Sequence, residues 1–168
     1  MKVKLKKIAL VAEIFGGIAI LISLLFVGIQ LRENTKATRS STATATIDTM
    51  TDWYVTMGTD KESSASLWRF LADPESMTKE EQLQHIYTLH GLLLTFQNSY
   101  FLAQDGTLDI RIHESLNQVL IGVKDQPGFH VYWNTRKSIF FKEYQDYVEG
   151  ILNSDIIVSD GVYKKDTD

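Results

Sequence analysis

From Ile8 to Ile29 the chain runs for 22 residues with only Glu13 and Ser23 as polar side chains. As a helix this stretch would extend about 33 Å at 1.5 Å per residue, close to the roughly 30 Å hydrocarbon thickness of a bilayer. A cleavable signal sequence would have an apolar core of roughly 7–15 residues and a small-x-small cleavage site. This run is longer and leaves through Phe26-Val27-Gly28-Ile29-Gln30 without such a site. The pattern therefore predicts a retained transmembrane helix over 8–30, preceded by a basic flank over 1–7.

Beyond the apolar run the pattern becomes periodic. Ile47, Met50, Tyr54 and Met57 recur at spacings of three and four, the period of an α-helix buried on one side. Neither Gly nor Pro interrupts 30–57, so the Thr/Ser/Ala-rich segment over 31–57 is expected to continue the membrane helix. Strand and flexible linker are the alternatives, from the Thr alternation at 42–46 and the low complexity.

Breaks then divide an expected helical bundle over 58–154. Gly58-Thr59-Asp60 ends one helix, and Asp73-Pro74 ends a short one carrying Leu67, Trp68 and Leu71 on one side. Thr78-Lys79-Glu80-Glu81 has the form of a capping box and opens a helix expected to stop at Asp105-Gly106. Along it Leu83, Ile86, His90, Leu93, Gln97 and Tyr100 trace one face, and Leu89, Leu92 and Phe96 a second. Apolar residues on most sides mark a central helix. Asp109 is expected to cap a helix to about Val123, with Ile112, Leu116, Val119 and Leu120 inward. Asp125-Gln126-Pro127-Gly128 reads as a loop. Two aromatic-rich helices, Phe129–Ile139 and Lys142–Leu152, follow, and 155–168 reads as a charged tail. The fold class is all-α: one amino-terminal transmembrane helix continuing into a soluble helical bundle.

Within the membrane helix, Ala12, Gly16, Ala19 and Ser23 recur at spacings of four, three and four. Small residues in that register let a second helix approach closely. Glu13, Gly16, Gly17, Ala19 and Ser23 are accordingly the candidate helix-contact residues. Glu13 lies roughly 8 Å inside the polar boundary, where an unpaired carboxylate is costly. It has two readings: reaching back toward Lys6, Lys7 or the headgroups, or meeting a partner helix beside Gly16 and Gly17. A proton relay would need several such groups in series. Lys6, Lys7, Gln30, Arg32 and Asn34 are the candidate membrane-interface residues.

Charge narrows the function classes. Past the apolar run the chain carries 13 Lys and Arg against 20 Asp and Glu, which opposes nucleic-acid binding. Without cysteine, thiolate metal sites and disulfides are excluded. His85 and His90 stand about 140° apart around a helix and cannot share a metal, and Glu81 with His85 makes only two ligands. Ser99 lacks a base at a recognisable spacing, and no phosphate-binding glycine loop or nucleophile elbow is present. His113 and His130 read as surface residues. No catalytic residue, metal site or cofactor is assigned, and no enzyme is expected. His90, Gln97 and Trp133 are the residues a buried ligand would meet, although Trp53, Trp68 and Trp133 are read first as core.

Three passages resemble a widespread, functionally unassigned family of small bacterial membrane proteins with one amino-terminal transmembrane helix and a helical carboxyl-terminal domain. They are AEIFGGIAILISLLFVGIQLRENTKATR (12–39), FQNSYFLAQDGTLD (96–109) and PGFHVYWNTRKSIFFKEYQDYV (127–148). The resemblance implies architecture, not activity, and a bacterial inner-membrane location. Lys2, Lys4, Lys6 and Lys7 outnumber Arg32, Lys36 and Arg39 by one, which favours an outward, periplasmic domain. The family's charges cluster after the span, which favours the opposite orientation.

The function expected from these observations is a membrane-anchored helical interaction or accessory protein, with a protein partner or homo-oligomer formed through the span. The alternative is a membrane-tethered small-molecule sensor.

Overall fold

The computed structural model describes the backbone of residues 2–156. Most of the expected tail, including Ile157 and Val158, lies outside the described residues. Within them the chain is all-α, without a strand. Six helices follow in order: α1 (Lys2–Thr59), α2 (Lys61–Ala72), α3 (Lys79–Gln104), α4 (Ile110–Val123), α5 (Pro127–Arg136) and α6 (Lys142–Leu152). Short 3-10 turns occupy Pro74–Ser76 and Lys137–Ile139. The chain divides into two units between Ser41 and Thr42.

The first unit is helical, and its apolar side chains from Leu10 to Leu31 are exposed. The second unit begins earlier than the break at Gly58 suggested. It takes in the α1 residues from Thr42 onward because Met50 is buried and Trp53 and Met57 pack against the core. The expected 58–154 bundle thus has the end of α1 as an integral part.

In this unit α3 packs against α2, α4 and α5, while α2 also meets α5 and α4 meets α6. Local chemistry sets the helix ends. The Thr78 hydroxyl accepts from the Glu81 amide at 3.2 Å and the Glu81 carboxylate accepts from the Thr78 amide at 2.8 Å, completing the capping box. Asp60 and Asp109 cap α2 and α4. Gly106 supplies the positive φ of 74° after α3, a backbone region that glycine enters without steric cost.

Four expectations are corrected. Pro127 and Gly128 form the first turn of α5 and are not loop, as suits a proline at the first helical position. Gly128 lies so close to α2 that a Cβ there would sit 2.0 Å from the Phe70 carbonyl oxygen. On α2, Phe70 is fully buried while Trp68 is exposed; the inward face is Leu67, Phe70 and Leu71. Leu83 is likewise exposed, and His85 takes the inward place at the start of α3. His113, read as surface, is buried.

Candidate functional site

In the first unit the five candidate contact residues lie along one exposed helical segment. A Cβ at Gly16 or Gly17 would meet nothing within 4 Å, so both glycines leave open surface. The Ser23 hydroxyl donates to the Ala19 carbonyl at 2.9 Å, satisfying itself within its own turn. Glu13 is exposed and forms no ion pair among the described residues. Lys6, Lys7, Gln30, Arg32 and Asn34 are exposed as well. Mean hydropathy reaches 2.5 in the most apolar window, none of which is buried; it is the one helix among the described residues long and apolar enough to cross a membrane.

The bundle interior holds three histidine clusters. In the first, the His85 Nε2 lies 2.8 Å from the Ser66 hydroxyl, and the ring stacks on Phe70 at 5.3 Å. His85 Nδ1 is buried without a partner. The nearest carboxylate in sequence, Glu81, is turned to Arg69 at 3.0 Å and to the Thr78 amide, so it does not orient the imidazole as a catalytic triad requires.

In the second cluster Ser99 and His113 meet at 3.0 Å through Oγ and Nδ1. The Ser99 hydroxyl donates to the Phe96 carbonyl at 2.8 Å, so it accepts from His113, whose proton is thereby placed on Nδ1. Nε2 then accepts, 3.1 Å from the Tyr147 hydroxyl and 3.0 Å from the Asn117 amide. Asn117 also donates to Tyr147. A nucleophilic serine would hand its proton to the imidazole; here the direction is reversed, and Ser99 has no exposure at all. The network joins α3, α4 and α6 as a structural latch. Ser66 and Ser99 both found histidines that sequence spacing did not reveal, 19 and 14 residues away.

The third cluster brings His90 and Trp133 to the Phe140 ring and Gln97 to the adjacent Phe141 amide. His90 Nδ1 lies 3.2 Å from the Tyr132 hydroxyl, and its ring is 5.1 Å from that of Phe140. Trp133 also stacks on Phe140, at 5.6 Å. Gln97 accepts from the Phe141 amide at 3.0 Å, capping α6, whose own N-cap side chain offers no oxygen. The Phe140 ring thus contacts both His90 and Trp133.

Desolvation is the first cause holding His85, His90 and His113 below the usual imidazole range. The Arg69 charge adds to it at His85, and Arg136 does so at His90. Burial pushes the Tyr132 and Tyr144 phenols up. Neutral imidazoles and phenols are what a packed interior selects. No group of three or more metal-ligating side chains occurs among the described residues.

Two concavities lie among the described residues of the bundle. An apolar void of about 20 Å³ lies among Trp53, Leu89, Phe96, Leu120 and Phe129, the scale of a single water. A groove of about 480 Å³ runs along the surface between Trp53, Met57, Lys61, Leu67 and Trp68.

Comparison with protein-family models, with curated proteins and with solved structures gave no match to this chain.

Proposed function

We propose that this protein is a membrane-anchored helical interaction or accessory protein, without catalytic activity, whose amino-terminal half of α1 crosses a bacterial inner membrane once. The observation that carries the reading is the apolar surface from Leu10 to Leu31, exposed on every side of the helix, with Phe15 and Leu25 at 68% and 69%. In water that surface would be strongly unfavourable, whereas hydrocarbon removes the cost. Its length suits a bilayer, and charged residues flank both ends. The family resemblance points to the same architecture. The single-charge lysine excess at the amino end favours a periplasmic bundle.

Glu13, Gly16, Gly17, Ala19 and Ser23 are the residues through which the span would meet a partner helix, from a second copy or another protein. The sensor alternative draws less support, because His90, Gln97 and Trp133 are engaged with Tyr132, Phe141 and Phe140.

Alkaline carbonate extraction tests the anchor: the full chain stays with the membrane pellet, and release into the supernatant would overturn the reading. Crosslinking in the membrane tests the contact. Glu13→Gln combined with Gly16→Leu lowers the yield of crosslinked species; an unchanged yield removes the proposed contact face. Reporter fusions at the carboxyl end report an outward bundle, and an inward signal would reverse the orientation.

A further inference from the structure

We propose that Arg32, Lys36 and Arg39 form a binding site for the phosphate of an anionic phospholipid headgroup. The proposal rests on the membrane reading above and gives the emerging helix a defined lipid partner. The three residues stand at spacings of four and three, hence on one face of α1. With Leu31 and Thr35 they border a shallow depression of about 360 Å³. All are exposed, and none forms an ion pair among the described residues. Glu33, the nearest carboxylate, lies about 60–120° around the helix from this face. The Thr35 hydroxyl is occupied with the Leu31 carbonyl at 2.8 Å, so the pull on an anion comes from the three cations.

Position selects a lipid as the anion. Measured from Leu31, the last residue of the exposed apolar run, Arg32, Lys36 and Arg39 stand about 1.5, 7.5 and 12 Å along the axis. The headgroup layer is roughly 5–7 Å deep on each side of the hydrocarbon. Helical side chains lean toward the amino end. At this end of the apolar run that lean carries Lys36 and Arg39 back into the phosphate layer, whereas Lys6 and Lys7 at the other end, adjacent in sequence, point about 100° apart around the helix and do not share one face. Two guanidinium forks present paired donors to phosphate oxygens, and the lysine adds a point charge. Leu31, exposed beside them, meets the acyl chains beneath the same headgroup.

The test uses the full chain in neutral detergent, titrated separately with phosphatidylglycerol and phosphatidylcholine, with bound lipid counted by native mass spectrometry. The wild type prefers phosphatidylglycerol. Arg32→Gln, Lys36→Gln and Arg39→Gln combined abolish the preference, at about fivefold in affinity per charge removed. Lys6→Gln with Lys7→Gln costs less than any two of the three. A wild type without preference, or a triple variant that keeps it, overturns the site. Displacement of phosphatidylglycerol by millimolar inorganic phosphate would overturn the lipid assignment in favour of free phosphate. Carbonate extraction of the wild type, run in parallel, separates the two readings. Release there defeats the anchor itself, while retention with an unchanged lipid preference in the triple variant defeats the headgroup site alone.

Discussion

The amino-terminal part of α1 and the whole of α3 are both long apolar helices, yet they treat polar groups in opposite ways. From Leu10 to Leu31 the apolar side chains are exposed, and the hydroxyl of Ser23 turns back on its own helix. In α3 the inward apolar side chains, from Ile86 through Leu89, Leu92 and Leu93 to Phe96, are buried while Leu83, Tyr87 and Leu94 stay exposed, and its inward polar side chains bond across the bundle. Gln82 donates to the Pro74 carbonyl, His85 meets Ser66, His90 meets Tyr132, Gln97 meets the Phe141 amide, and Ser99 meets His113. A helix surrounded by hydrocarbon can satisfy polarity only internally, whereas a helix surrounded by protein can borrow partners from its neighbours. Apolar content alone does not separate the two cases; the placement of polar side chains does.

The largest test of this contrast substitutes one phenylalanine in each region. Phe70→Ala in the bundle should cost about 3–5 kcal/mol, while Phe15→Ala should leave bundle stability within about 0.5 kcal/mol. Urea unfolding of the full chain followed by tryptophan fluorescence reads this cleanly, since Trp53, Trp68 and Trp133 all belong to the second unit. Equal losses would break the comparison.

Glycines sharpen it next. Gly128→Ala places a methyl group against the Phe70 carbonyl and the Leu71 Cα and should cost about 1–3 kcal/mol or more. Gly91 in α3 has open space around it, so Gly91→Ala should stabilise by up to about 1 kcal/mol through helix propensity. Thermal melts of the two variants should therefore move in opposite directions. Removing the capping box with Thr78→Ala should lower stability by about 1 kcal/mol, with no change in membrane retention.

The gentlest effect is a slope with pH. In the folded bundle His85, His90 and His113 hold their protons less readily than ordinary imidazoles because burial disfavours the cation. Below about pH 6.5 the unfolded chain takes up protons that the native bundle refuses. Stability is thus fully present above that pH and falls as the medium is acidified toward the lowered native values. Urea midpoints measured at descending pH should follow this course, and His113→Asn should flatten part of it. A bundle insensitive to pH across that window would place these imidazoles in contact with water.

Much of the architecture was legible because its causes are local. A Thr-x-x-Glu box, an Asp before a periodic stretch and an Asp-Gly stop each act within one helical turn, and each produced the expected helix boundary. Continuation of the helix past the apolar run was readable for the same reason, since neither glycine nor proline interrupts 30–57. Burial depended on partners far along the chain. Periodicity placed one side of α2 inward but did not distinguish Phe70 from Trp68, which lie about 160° apart on opposite flanks of the Leu67 and Leu71 face. It read His113 as surface because its three polar partners come from α3, from its own next turn and from α6. Pro127-Gly128 read as a loop because both residues punctuate chains. Only the approach of α2 explains why glycine is required there within a helix. The sequence by itself determined the helices, the ends set by local caps and the apolar segment, since these follow from residues near one another in the chain, while the bounds of α5 did not. The tertiary structure decided which histidines are buried away from water, which aromatic residues fill the core and where Gly128 must be glycine, because those outcomes depend on atoms that the chain brings together only when packed.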